Sequence, residues 1–305
     1  MFRTSLILAL TLSIVTLVAA IVIPDLQDRK DAIGSLEGLS PDLQRTCTPG
    51  DDFAPLPEPG GSDWLASRKE PGQTYSQFLK SRPNMPGAGG RKIIYLQPLG
   101  KFPATAPNIE TLRKYMEAYF HPMEVKVAPN LGIAKNGSVK SRTNGGQLQW
   151  NCIDILDLLQ RRVPRDAYIV MGITMTDLYP SEKWNFVFGM ARIKKRVGVF
   201  SFARYGKDPT TALKRAMKVI SHETGHAFGI RHCIHFHCLM NGSNHLDETD
   251  RSPLHFCPVC LRKIHHGLKF DPATRYQKLA TFLDDHKMPV EAKWFEKRIR
   301  KIRKP

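Results

Sequence analysis

The stretch His222-Glu-Thr-Gly-His-Ala-Phe-Gly-Ile-Arg-His232 decides how this chain can fold and what chemistry it can carry. It continues an amphipathic segment that begins at Asp208-Pro209, where an acidic N-cap precedes the proline that suits the first turn of a helix. Histidines four residues apart lie on one helical face, so His222 and His226 can bind the same ion. The sequence therefore predicts an active-site helix through residue 226.

The rest of the motif adds a third ligand and a carboxylate. Gly229 allows the left-handed turn that ends a helix, and His232 follows three residues later. Three nitrogen ligands with an open fourth position are typical of a catalytic zinc, and Glu223 beside the first ligand can act as general acid/base. A bare His-Glu-x-x-His occurs by chance in many chains, but the long form after a capped helix is far more specific.

Four cysteines follow directly, at Cys233, Cys238, Cys257 and Cys260. Two short pairs joined by a loop suit a tetrahedral structural zinc. The alternative is a disulfide within each pair, which would close only short loops and constrain the chain little. We favour zinc and so expect two zinc ions, one catalytic and one structural. Nearby histidines are expected to be loop or surface residues: His235, His237, His245 and His255.

Upstream of the motif, apolar runs alternate with helical patterns, which predicts an α/β fold with helices packed on one sheet. Predicted strands are Ile93–Leu96 (stopped by Pro98), Val125–Val127, Tyr168–Thr174 and Val197–Ala203. Predicted helices run from the cap Asn108 to about Phe120 and from Leu148 to Leu159.

The ends of the chain differ from this core in composition. Residues 1–20 are expected to be a secretory signal peptide, because an uncharged run follows Arg3 and ends in small residues. The rival interpretation is an uncleaved signal anchor. A Pro/Gly-rich extension, 21–91, is expected to be ordered but irregular, and the core domain spans 92–286. Residues 287–305 form a basic tail with a local charge of +6, either a basic amphipathic helix or a frayed solvated segment.

Composition narrows the class of protein. Hydrophobic residues make up 42% and charged residues 24%, which excludes wholesale disorder and a polytopic membrane protein. The net charge of +17 suits contact with an anionic surface through 287–305, but no base-stacking motif suggests nucleic-acid binding.

Cys47 and Cys152 could pair in an oxidising compartment, where Asn136 is a plausible glycosylation acceptor. Asn241 also matches the acceptor pattern but is expected to be shielded. We expect a monomer.

The joint histidine and cysteine motif, HETGHAFGIRHC then CLM and CPVC, closely resembles the archaemetzincins, a family of metzincin-like zinc peptidases. Other stretches resemble them too: GQTYSQFL from Gly72, IIYLQPLG from Ile93 and DLYPSEKWNFVFGMA from Asp177. The likeness covers roughly 63–286. Two features depart from it, because the 16 residues between Met240 and Cys257 are one fewer than in the family pattern and familiar members look intracellular.

The resemblance implies a metzincin-like catalytic domain with a C-terminal two-zinc subdomain. It assigns the three histidines to the catalytic zinc, Glu223 to proton transfer, the four cysteines to the second zinc and Met240 to a methionine turn beneath the site. It also implies that Val197–Ala203 is an edge strand to which a peptide substrate adds. Tyr205 is only a guess for the oxyanion-stabilising group, and a surface tyrosine is the simpler expectation.

The predicted function is therefore metal-assisted peptide hydrolysis by a secreted, or alternatively membrane-tethered, peptidase. The alternative is a non-catalytic two-zinc binding module whose basic tail engages an acidic partner. The intact Glu223 favours the enzyme, since a binding module needs no base beside the metal.

Overall fold

The structure is a computed structural model that describes residues 23–133, 137–192 and 195–303. The expected signal peptide, 1–20, and the glycosylation acceptor Asn136 lie outside the described residues. Within the described ranges, no helix combines the length and the apolar character needed to cross a membrane.

Five strands form the main sheet, in the order β2-β1-β5-β8-β7. They are β1 (Ile93–Leu99), β2 (Glu124–Val127), β5 (Ala167–Thr174), β7 (Gly189–Arg192) and β8 (Val197–Ser201). The first four in this order run parallel, and β7 is antiparallel to β8. Every residue of β5 is buried, as expected of a central strand in a sheet covered on both faces.

Helices cover both faces of this sheet and confirm the predicted α/β class. Helix α6 (Cys152–Gln160) packs with Val170, Val197 and Val199 in one apolar cluster. Helices α5 (Ile109–Tyr119) and α7 (Pro209–Ala227) belong to the larger cluster on the other side. As predicted, Asn108 caps α5 by accepting a hydrogen bond from the Thr111 amide.

Two boundaries differ from the sequence predictions. The predicted helix from Leu148 is wrong in its first turn, because β4 (Gln147–Asn151) comes first and Asn151 caps α6 at Cys152. β4 joins a second sheet of order β3-β4-β6 with β3 (Ser141–Asn144) and β6 (Asp177–Tyr179). β1 also continues past Pro98, which pairs with Ile173 of β5 after the pairing with β2 has ended.

The predicted edge strand is also wrong. β8 is an interior strand, because Val197 pairs with β5 on one side and with β7 on the other. The edge is β7, whose four half-buried residues, GMAR, carry neither β-branched side chains nor an apolar alternation that would have marked a strand. A substrate adding to this edge would therefore pair with β7.

The remaining helices wrap the core, and the Pro/Gly-rich extension packs on them. They are α1 (Leu26–Ile33), α2 (Pro41–Cys47), α3 (Trp64–Ser67), α4 (Tyr75–Lys80), α8 (Leu246–Arg251), α9 (Pro258–Leu268), α10 (Pro272–Asp285) and α11 (Pro289–Ile302). α1 and α4 contact α9, and α2 contacts α9 and α11. Buried Phe53 and Phe78 join the main apolar cluster, so the extension is part of the folded body.

The basic tail is a docked helix rather than a frayed segment. The apolar side chains of Phe295 and Ile302 on α11 are buried in the core, whereas Val290 at its start is exposed. Arg298 and Asp52 form an ion pair of 2.8 Å with 2% and 1% of their side chains exposed. The helix is thereby fixed to the N-terminal extension.

Cys47 and Cys152 do not pair. Both are buried free thiols, and they lie in separate apolar clusters on opposite sides of the sheet. Burial raises the pKa of each thiol to about 12, which keeps both protonated.

Candidate active site

The end of α7 brings the three histidines together. Asp208 caps its start by accepting a hydrogen bond from the Thr211 amide at 2.7 Å. At its end Gly229 has a φ of 83°, its amide donates to the carbonyl of His226, and the Ile230 amide donates to the carbonyl of Gly225. This Schellman pair reverses the chain within one turn and returns His232 to the helix face that carries the first two histidines.

The three imidazoles converge on one point, as the spacing predicts. The Nε2 atoms of His222 and His226 lie 3.0 Å apart. The ring of His232 is centred 5.2 Å from that of His222 and 5.0 Å from that of His226. One nitrogen from each ring lies within 4.8 Å of the others, a spacing that suits three ligands of one ion.

Each of these rings is oriented through its other nitrogen. The carbonyl of Leu239 accepts from Nδ1 of His222 at 2.9 Å, and the carbonyl of Ile230 accepts from Nδ1 of His226 at 2.7 Å. A carbonyl oxygen can only accept, so both Nδ1 atoms carry the proton and both Nε2 atoms keep a free lone pair. This is the tautomer that a metal ligand requires.

The third ring is held by a carboxylate that the sequence analysis missed. Glu70 accepts from Nδ1 of His232, with its two oxygens at 2.8 and 3.0 Å, and from Nε1 of Trp64 at 2.9 Å. Burial opposes the charge of Glu70, but these hydrogen bonds outweigh it and lower the pKa of the carboxyl. Glu70 is therefore an anion that fixes the tautomer and direction of His232.

Glu223 lines the same cleft and is almost completely buried there. Only 8% of the residue is exposed, and burial raises the pKa of its carboxyl to about 8. Gly189 on the edge strand β7 makes room for it, since a Cβ there would lie 3.0 Å from both Cγ and Oε1 of Glu223. A dication held by the neighbouring histidines would favour the charged form and lower this pKa.

Met240 packs under the helix, where the resemblance placed it. A Cβ on Gly225 would lie 2.5 Å from the Met240 sulfur, so this glycine lets the turn approach the helix backbone between the first two histidines. The carbonyl of Met240 also accepts from the Cys233 amide at 2.7 Å. The turn thus joins the histidine motif to the first cysteine.

The four predicted cysteines form a second cluster. Their sulfur atoms all lie within 4.8 Å of one another and all four residues are buried free thiols. The Cys233 and Cys257 sulfurs, one from each short pair, are 3.6 Å apart, so the two pairs meet in one cluster. The Cys238 sulfur accepts from two backbone amides, those of Met240 and Cys257. This donor set fits a soft tetrahedral metal site better than the alternative of two disulfides.

The site opens into a cleft of about 730 Å³. It is lined by the three histidines and Glu223, and by Phe188 and the first three residues of β7. Trp64 and Arg68 from the N-terminal extension also line it. The sequence analysis did not identify Trp64, because nothing in its local pattern pointed to a site.

A third group of metal-ligand types, Asp63, His245 and Glu248, also comes together. Its oxygens already have partners: Asp63 accepts from Arg251 at 2.7 Å, and Glu248 accepts from the Trp64 amide at 2.9 Å. We interpret this group as a set of polar contacts that holds Trp64 against α8.

Three other sequence expectations can be compared with the structure. Tyr205 is fully buried and lies outside the cleft lining, so the expectation of a surface tyrosine is wrong. His235 is also buried rather than on the surface. Asn241 is shielded as expected, since its amide nitrogen donates to the carbonyls of Cys233 and Phe236 at 2.7 and 2.9 Å.

Comparisons with known proteins agree with the motif. The model of Peptidase family M54 matches residues 147–266. Archaemetzincin-2 of Rattus norvegicus is 37% identical over 270 residues, which cover 76% of this chain and 75% of the relative. Archaemetzincin-2 of Homo sapiens is 36% identical over 272 residues, or 77% and 76% of the two chains. The crystal structure of archaemetzincin from Methanopyrus kandleri is 30% identical, covers 60% of this chain and 98% of that chain, and gives a TM-score of 0.48.

Proposed function

This chain belongs to the archaemetzincins, a family of zinc metallopeptidases, and from that premise we propose that it hydrolyses peptide bonds with Glu223 as general acid/base. The observation that carries the proposal is the convergence of the three histidines beside this buried carboxylate. His222, His226 and His232 would hold the catalytic zinc. When bound there, zinc supplies Lewis-acid polarisation of the scissile carbonyl and acidifies water.

The chain's own residues account for the proton transfers and the positioning. Glu223 accepts the proton of the attacking water and returns it to the leaving amine, so one carboxylate serves both halves of the reaction. The exposed edge of β7 would bind the substrate by main-chain hydrogen bonds, which places an extended peptide along the cleft. Gly189, in contact with Glu223, keeps that strand close to the acid/base group.

We further propose that Cys233, Cys238, Cys257 and Cys260 hold a second, structural zinc. Their cluster lies directly after the third histidine and connects the loop through Cys238 to the start of α9. A metal there would fix the segment that supplies the Leu239 carbonyl to His222. The second ion would then support the geometry of the first without touching substrate.

The test compares the full chain with Glu223→Ala on a mixed peptide library, with zinc content measured in both. We expect cleavage by the parent alone and two zinc ions per chain in both proteins. No cleavage by the zinc-loaded parent would favour the alternative of a binding module. Equal cleavage by both proteins would refute the role of Glu223.

We also propose that the protein is secreted, on the basis of the uncharged run that follows Arg3. Expression of the full chain in a secreting host should release a product whose first residue is Ile21. Recovery of the protein in membranes with residues 1–20 intact would support the signal anchor instead.

A further inference from the structure

Among the described residues, three cations line the active-site cleft; Lys218 is buried and donates to the backbone carbonyls of Thr249 and Asp250, which leaves two without such partners. Arg68 and Lys183 both line it, and in the described part of the chain neither makes an ion pair. Nearby arginines do, since Arg142 pairs with Glu182 and Arg204 with Asp177. An unpaired cation inside a cleft is available to a ligand.

Arg68 is exposed, and its guanidinium rests on two aromatic rings. Its guanidinium carbon lies 5.0 Å from the ring centre of Trp64 and 4.8 Å from that of Trp184, so it sits between tryptophans of two distant segments. Stacking on aromatic rings orients the plane of a guanidinium but leaves its N–H groups unsatisfied. The side chain thus pays little further entropy on binding an anion.

Both tryptophans make hydrogen bonds of their own. The amide of Trp64 donates to Glu248, and its indole nitrogen donates to Glu70. The backbone of Trp184 is fixed by Arg142, which donates to its carbonyl. Arg68 is therefore linked to His232 through Trp64 and Glu70.

The charge of the cleft points to an acidic ligand. Glu223 is the only carboxylate among the described residues that line the cleft, and it belongs to the catalytic machinery. A guanidinium presents paired N–H donors that match the two oxygens of a carboxylate. A peptide offers that group from an acidic side chain or from its free C-terminus.

We propose that Arg68, assisted by Lys183, binds a substrate carboxylate and gives this peptidase a preference for acidic peptides or free C-termini. The proposal rests on the proposed peptidase function and adds the substrate class. Arg68 is then a specificity-determining residue that contacts substrate away from the scissile bond.

The experiment compares kcat/KM for peptides in which Glu or Gln occupies each position in turn, each made with a free or an amidated C-terminus. We expect the parent to prefer Glu at one position, or the free acid. In Arg68→Gln that preference should fall about tenfold, as for loss of one charge-assisted hydrogen bond, mainly through KM. The effect of Lys183→Gln should be in the same direction and smaller.

The matched control is Lys69→Gln, which removes the same charge from an exposed residue that does not line the cleft. It should keep the parental preference. A uniform loss on all peptides in Arg68→Gln would mean that Arg68 only braces the cleft wall, and an unchanged ratio would mean that it binds no carboxylate. Either result overturns the proposal.

A binding measurement separates this proposal from the peptidase function. The same peptides are titrated into zinc-loaded Glu223→Ala, with and without Arg68→Gln. A Glu-over-Gln difference in Kd that depends on Arg68 would support the carboxylate subsite even if the parent cleaves nothing. Absence of any such difference overturns the subsite whether or not cleavage occurs.

Discussion

Removing the Glu70 carboxylate should weaken zinc binding at the histidine site while leaving the cysteine site intact. Glu70 accepts from Nδ1 of His232 through both oxygens, at 2.8 and 3.0 Å, and 23% of its side chain is exposed. In Glu70→Ala the ring of His232 keeps its edge contact with Trp64, at 5.3 Å between ring centres, and its contacts with the other two imidazoles, but Nδ1 loses its acceptor. Nothing then selects the tautomer that presents Nε2 to the metal.

The expected magnitude follows from the kind of contact that is lost. Partners of this type are worth 10- to 100-fold in metal affinity, or about 1.4 to 2.7 kcal/mol. Glu70→Ala should approach the upper figure, since it removes both the acceptor and the negative charge beside a dication. Glu70→Gln keeps an acceptor oxygen and should lose about tenfold or less.

The assay is a titration of zinc-loaded full-length protein with a competing chelator, following the two ions separately. The first ion released should shift to lower chelator concentration in Glu70→Ala, and the second should not. Glu58→Ala, an exposed glutamate in the same extension, is the matched control. If Glu70→Ala binds both ions within twofold of the parent, the hydrogen bond does not orient His232 and the reasoning fails.

Further predictions concern packing, the second metal and pH. Gly225→Ala should lower the free energy of unfolding by about 1 to 3 kcal/mol, because the new Cβ would lie 2.5 Å from the Met240 sulfur. Thermal melts would measure this loss. The control Gly61→Ala, where a Cβ meets open space, should show none. Cys260→Ser should bind one zinc fewer by elemental analysis and melt at lower temperature, whereas equal zinc content would refute the four-cysteine site. Burial lowers the pKa of His255 from 6.5 to about 3. The neutral imidazole therefore stabilises the fold fully above pH 6.5, and this contribution is lost as the pH falls from 6.5 to 3. His255→Phe should therefore show a smaller loss of stability between pH 6.5 and 3 in denaturant titrations, and an identical acid limb would contradict this.

The parts of the site that the sequence predicted are those specified by local spacing. His222 and His226 follow from helical geometry, and Gly229 is required by the turn that returns His232. The two short cysteine pairs, Cys233 with Cys238 and Cys257 with Cys260, likewise predicted the second cluster from their spacing. Each of these relations spans a few residues, so periodicity and turn chemistry are enough to find it.

The parts that the sequence did not predict depend on distant contacts. Glu70 meets His232 across 162 residues, and a glutamate between Lys69 and Pro71 carries no local mark of that role. β7 was missed because an edge strand with one face on a cleft need not alternate. The prediction that Val197–Ala203 is the edge strand was wrong because an apolar run does not show whether a strand has one neighbouring strand or two.

The docking of the N-terminal extension on α9 and α11 has a consequence for the order of events during synthesis. The extension leaves the ribosome first, but its binding surfaces, including the helix that carries Arg298, are made last. A nascent chain can therefore hold all three histidines before α9 and α11, on which the extension docks, have been made. The extension should therefore reach its final position only after α11 has been made, as the last step in assembling the folded body.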